Sequence, residues 1–236
     1  MKKVISRILL VFLVVTFQLI VAQVKISPLR EAIVNSNPYE VKRLIESGAD
    51  VNEKYNVARL TNITPLFQAC TISFLFPTTD SIKAKKIEIV KLLIAGGANA
   101  NEKFKGMTIL MQAVQLTGDP AIVKPLVMGG MDINAKTPGY GRTALHGAVL
   151  KGKIKWLKPL IENGADLNAK DRYGFTPLHY AVRELKKDEL ATLIKAKANV
   201  NSVDNHGLTP LDYALQYQYK DLADVLKKHG GKSSKE

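Results

Sequence analysis

The chain has 236 residues, 46% of them hydrophobic, and carries 34 Lys and Arg against 21 Asp and Glu, a net charge of +13. That apolar share excludes a disordered polyelectrolyte, and the single cysteine excludes an intramolecular disulfide, so stability has to come from packing. The basic excess favours acidic partners or anionic surfaces without choosing between them.

At the N-terminus Lys2, Lys3 and Arg7 precede an apolar run from Ile8 to Ala22, interrupted only by Thr16 and Gln18. The run falls short of the ~20 residues a membrane-spanning helix needs. It reads as a secretory signal cut near Ala22, with an uncleaved anchor as the alternative. Export would leave residues 23–236, with 31 basic and 21 acidic side chains and a net charge of +10. The product would be periplasmic or extracellular. Nucleic acid would then be no partner, and membrane contact would be limited to the signal or to weak surface association.

Further along, a Thr-Pro-Leu-x-x-Ala element begins at Thr64, Thr176 and Thr209, with variants from Ser27, Thr108 and Thr143. Successive starts lie 37, 44, 35, 33 and 33 residues apart. A second element keeps step with the first: Gly48-Ala49-Asp50-Val51-Asn52, and its counterparts from Gly97, Gly130, Gly164 and Lys197. Together they resemble the ankyrin repeat, whose signature pairs a Thr-Pro-Leu-His helix start with a Gly-Ala-Asp-Val-Asn tail. The resemblance covers residues 25–231, with repeats at about 25–54, 62–103, 106–138, 141–172, 174–203 and 207–231. It implies an all-α solenoid: one elongated domain over residues 23–236, built of two antiparallel helices and a projecting finger per repeat.

The residues support this independently. Thr or Ser before Pro reads as a helix N-cap followed by the first helical position. Leu145 with Ala148 and Val149, and Leu178 with Ala181 and Val182, fall at the spacing of one narrow apolar stripe. Wider stripes such as Val41, Leu44 and Ile45 end at a glycine suited to a left-handed terminal turn. Cys70, after Ala69, fits a small core residue.

Three departures stand out. Between Ala69 and Lys85 roughly ten extra residues, including Phe74, Leu75, Phe76 and Pro77, predict a long inter-helix loop, either projecting toward a partner or folded back on the solenoid. Asp119-Pro120 predicts a helix start that leaves Pro125 in the interior, where a kink is expected. Lys197 occupies a glycine position and should sit in a left-handed turn under strain.

No catalytic, cofactor or metal site is expected. There is no nucleophile elbow, phosphate-cradling loop or paired-carboxylate arrangement, and His206 and His229 lack a second ligand at metal spacing. The resemblance gives His146 and His179 a structural hydrogen bond between adjacent repeats. The Asp and Asn residues of the tail elements read as turn formers bonding their own backbone.

Recognition in this family uses the finger tips and the exposed side of the inner helices. Each of the first four fingers carries an aromatic beside a base: Tyr55 near Lys54 and Arg59, Phe104 beside Lys105, Tyr140 near Arg142, and Tyr173 and Phe175 near Arg172. His206 marks the fifth, while Leu150, Lys151, Arg183, Glu184, Gln216 and Tyr217 would complete the surface. Aromatics and arginine dominate binding hot spots. The expectation is a monomeric, non-enzymatic scaffold that binds the acidic surface of another protein. The alternatives are an anionic envelope polymer or membrane face as the ligand, or a purely structural role.

Overall fold

The computed structural model describes residues 26–57, 60–71, 79–116 and 118–235. The expected secretory segment, Arg59 and residues 74–77 of the insertion lie outside them. Six antiparallel helix pairs follow one another: α1 (Pro28–Val34) with α2 (Pro38–Glu46), α3 (Pro65–Cys70) with α4 (Asp80–Ala95), and α5 (Ile109–Gln115) with α6 (Val123–Met128). The last three are α7 (Ala144–Leu150) with α8 (Ile154–Glu162), α9 (Pro177–Arg183) with α10 (Lys187–Lys195), and α11 (Pro210–Gln216) with α12 (Lys220–Lys228).

The inner helices have six or seven residues, too few to persist alone in water. Their caps start them and their neighbours hold them. The hydroxyl of Ser27, Thr64, Thr108, Thr176 or Thr209 accepts from the backbone N–H three residues on. Each inner helix packs on the next, and outer helices α2, α4, α6, α8 and α10 do the same behind them. The motif leucines Leu29, Leu66, Leu110, Leu145, Leu178 and Leu211 are all buried, as are the alanines three residues after them. On the outer helices Leu93, Leu126, Leu160, Leu193 and Leu226 occupy one recurring core position. Truncating any of these to Ala would remove about 2–5 kcal/mol.

Outer helices end in a left-handed residue. Gly48, Gly97, Gly130, Gly164 and Gly230 have φ between 82° and 91°, and Lys197 follows at 72°. The strain expected of Lys197 is therefore present, because its Cβ crowds the backbone where glycine has none.

The tail turns form as expected. Asp50, Asn99, Asp132, Asp166 and Asn199 each accept from the N–H two residues on. Asparagines two residues further along do more. Asn52, Asn101, Asn134 and Asn168 each accept from an N–H of the following repeat, at Asn99, Asp132, Asp166 and Asn199. The amides of Asn52, Asn101 and Asn134 donate in turn to the carbonyls of Gly97, Gly130 and Gly164. A ladder of side chains thus runs along one edge of the stack.

Two departures resolve differently from expectation. The insertion is partly helix: α4 has 16 residues where α2 has nine, and Thr79 caps its start. The segment with Pro125 is two elements rather than one kinked helix. Asp119 caps a 3-10 turn at Pro120–Ile122, and α6 begins afresh at Val123. Pro125 then lies in the first turn of α6, where a missing N–H matters little.

Candidate functional site

The fingers are built in two ways. The first two are short antiparallel hairpins, β1 (Tyr55–Val57) with β2 (Leu60–Ile63) and β3 (Lys103–Phe104) with β4 (Met107–Thr108). The later two are held by buried aspartates. Asp171 accepts from the N–H groups of Tyr173 and Phe175, and Asp204 from those of His206 and Leu208. Tips of adjacent fingers are tied side by side. The Arg172 N–H donates to the Tyr140 carbonyl at 2.9 Å, and the Asn205 N–H to that of Tyr173 at 3.0 Å. Gly174, at φ 79°, permits the second approach, since a Cβ there would lie 2.6 Å from the Asn205 nitrogen.

Not every finger aromatic faces outward. Phe175 is 8% exposed and packs among His179, Tyr180 and Tyr213, so the expectation of a tip residue is corrected: it belongs to the core. Tyr55 is half-buried, its hydroxyl donating to the Gln68 amide oxygen, and burial raises its phenol above the ordinary range. Phe104 is half-buried with its ring 5.0 Å from that of Phe67. Tyr140 and Tyr173 do stand exposed, rings 6.4 Å apart, with Arg172 over Tyr173. His206 is exposed on the fifth finger. Tyr217 caps the end of α11 between Tyr213 and Tyr219, at the other end of the surface.

Between the second and third fingers the concave face opens into a groove of about 290 Å³. Met107, Met111, Val114 and Leu150 make its floor, Pro138 and Tyr140 one wall, and Lys105, Arg142 and Lys151 its rim. Its cause is a single position. Aligned by motif, Gln68, Gln112, Gly147, Tyr180 and Tyr213 share one slot on the inner helices, and at Gly147 the side chain is missing. Lys105 is exposed on its finger, its ammonium 5.5 Å from the Phe104 ring, and Lys151 is exposed after α7. Neither has a carboxylate partner among the described residues. Arg142 is better satisfied. Its guanidinium lies over Tyr140 and Tyr180, donates to the Tyr180 hydroxyl at 2.7 and 3.1 Å, and sits 3.6 Å from the buried Asp171 carboxylate. Burial, with the Asp171 carboxylate, pushes the Tyr180 phenol up to about 12.

The two motif histidines are structural. The Thr143 N–H donates to His146 Nδ1, which places the ring proton on Nε2, and Nε2 donates to the Phe175 carbonyl of the next repeat at 3.0 Å. His179 repeats the arrangement with Thr176 and the Leu208 carbonyl at 3.1 Å. Burial holds both rings below the usual imidazole range, so they stay neutral near pH 7. Among the described residues no group of three or more His, Cys, Asp or Glu is placed to hold a metal ion, and no helix is long and apolar enough to cross a membrane.

A stack of helix pairs with a finger-lined concave face and buried inter-repeat histidines defines a repeat solenoid of the binding class. A family model described as ankyrin repeats (3 copies) matches residues 79–171, 110–203 and 145–235, more than half of the chain. The protein belongs to the ankyrin-repeat family. It is similar in structure to the ankyrin repeat domain of Bcl-3, described as a unique member of the IkappaB protein family. That match has a TM-score of 0.72 and 27% identity, covering 89% of each chain. No curated protein sequence matches it. Domains of this family generally mediate protein–protein interaction, and the fold is a typical non-catalytic scaffold.

The sequence reading singled out Leu150, Lys151, Lys105, Tyr140 and Arg142, which the groove brings together. It missed Met107, Met111 and Gly147. The signal for Gly147 was available as a break in one column of the repeats, but its meaning depends on knowing which column faces the groove.

Proposed function

We propose that this protein is an exported, monomeric scaffold that binds an acidic segment of a protein partner in the groove beside Gly147. The observation carrying this reading is the groove itself, an apolar floor long enough for one anchoring side chain with two uncompensated lysines on its rim. Apolar anchors in desolvated pockets supply most of the free energy at such interfaces, and rim charges steer the approach. The basic balance of the chain and its N-terminal signal pattern support the acidic partner and the export.

The test adds a side chain rather than removing one. Gly147→Tyr introduces the residue that the next two repeats carry in this slot, and a Cβ at Gly147 meets only Val114 Cγ1, at 3.7 Å. The filled variant should keep its circular dichroism and thermal midpoint and lose at least tenfold in affinity for the partner captured by the native chain. Lys151→Glu should slow association and flatten its salt dependence. Undiminished capture by both variants would move the site out of the groove. Loss of all binding near 0.5 M salt with no defined protein stoichiometry would favour an anionic polymer instead.

A further inference from the structure

Among the described residues four arginines lie against aromatic rings, and they differ in what completes them. Arg142, over Tyr180 at 4.9 Å, has the Asp171 carboxylate. Arg183, over Tyr180 at 5.0 Å, has Glu184 at 3.3 Å. Arg172 lies over Tyr173 and is exposed. Arg30 has none of these. Its guanidinium sits 4.4 Å over the Tyr55 ring, the residue is only 8% exposed, and Nε has no hydrogen-bond partner.

No carboxylate lies within ion-pair distance of Arg30 among the described residues. Outside the described residues the sequence holds one Asp or Glu, Glu236, its last residue. Glu53, on the same finger, accepts from the Ser27 hydroxyl instead. Arg30 occupies the slot that His146 and His179 fill in later repeats, yet it makes no comparable bond to the next repeat. Where Tyr180 donates to the Asp171 carboxylate, Tyr55 donates to the neutral amide of Gln68, and the carboxylates whose charge reaches Tyr55, Glu53 and Glu102, accept from the Ser27 and Thr64 hydroxyls rather than pairing with Arg30.

A buried cation without a counterion destabilises a fold, and a planar guanidinium backed by a ring offers a fork shaped for a carboxylate. We propose that the Arg30–Tyr55 pair is an open carboxylate site at the first end of the concave face. It takes an Asp or Glu side chain from the same acidic segment the groove holds, and for that biological ligand it rests on the scaffold reading above.

The test is an NMR spectrum of the arginine Nε–H groups of the purified chain, in detergent where the N-terminal apolar run is retained. Acetate is titrated against chloride at constant ionic strength. The Arg30 signal, assigned by its absence from Arg30→Lys, should move saturably with a midpoint of about 10 mM in acetate and stay in place in chloride. No movement, equal movement in both salts, or tighter saturation by inorganic phosphate would overturn the site. Arg30→Met should lose the titration and melt a few degrees higher, whereas a lower melting temperature would mark Arg30 as structural and overturn the proposal. If groove variants abolish partner capture while the titration fails, the scaffold stands and this site falls. Saturable acetate binding in a protein that captures nothing supports the site and sinks the scaffold.

Discussion

Repeats one to three and repeats four to six share a backbone plan but are joined by different chemistry. In repeats four and five the cap threonine works with a histidine, and His146 and His179 carry the bond across to the Phe175 and Leu208 carbonyls, while in repeat six Thr209 works with Asp212. Buried Asp171 and Asp204 hold the fingers there and accept from Tyr180 and Tyr213. In the earlier half the histidine slot holds Arg30, Phe67 or Met111, and the caps bond carboxylates instead, Ser27 to Glu53 and Thr64 to Glu102. Those glutamates are only half-buried, and the fingers are short hairpins. The family model begins to match at residue 79, so the departures in chemistry fall largely where the match is absent. A solenoid can keep its geometry while exchanging the groups at its joints, provided most buried polar atoms still find a partner, and Arg30 Nε is the exception among the described side chains.

The sharpest way to break the comparison is to remove one joint of each kind. His179→Ala should cost about 1–3 kcal/mol, because it orphans the buried Thr176 N–H and takes one of two donors from the Leu208 carbonyl, which keeps the Asp204 N–H. Glu102→Gln should cost about 1 kcal/mol or less, since an amide oxygen still accepts from Thr64. Urea midpoints followed by fluorescence of Trp156, the one tryptophan, give both numbers, and equal losses would show that the halves are joined equally.

Acid should separate the halves more gently. Burial lowers His146 and His179 from the ordinary 6.5, so below that pH the unfolded chain binds protons that the folded chain refuses. Stability is then complete above pH 6.5 and falls as pH drops toward the folded values. Asp204 and Asp212 act lower. Burial opposes them, but hydrogen bonds from Tyr213 and the Leu208 N–H to Asp204, and from Ser233 and the Thr209 N–H to Asp212, hold both below 3.8. Their contribution is present above that pH and lost beneath it. At pH 5, hydrogen exchange corrected for intrinsic rates should loosen α7 and α9 before α1 and α3; uniform loosening would contradict the distinction. The smallest effect belongs to Lys197→Gly, which relieves the left-handed strain and should add about 1 kcal/mol, a rise of ~2–4 °C in melting temperature. An unchanged or lower value would mean that this turn is not left-handed in solution.

Local signals carried most of the fold in the sequence. Caps, terminal glycines and turn aspartates each act within a few residues of themselves, and the period repeats them until they cannot be mistaken. What stayed hidden depends on a neighbouring repeat. Phe175 reads as a tip aromatic until Tyr213 of the following repeat is placed against it. Gly147 reads as an ordinary helix residue until Tyr140 and Met111 close around the space it leaves. Asn52 reads as a turn former until the Asn99 N–H arrives from the next repeat. The candidate site was legible as a region and as a charge sign, while its shape came from register between repeats.

The asparagine ladder has a consequence for how such a molecule can vary. Each rung is accepted by the same asparagine position from the same backbone position of the next unit, so it does not register how many units there are. After α12, Asn201 finds its partners in the Gly230 carbonyl and the Lys232 N–H, the places a further unit would offer. A duplicated or deleted unit therefore leaves every remaining rung with a mate, and the chain can lengthen or shorten by whole modules while its edge stays closed.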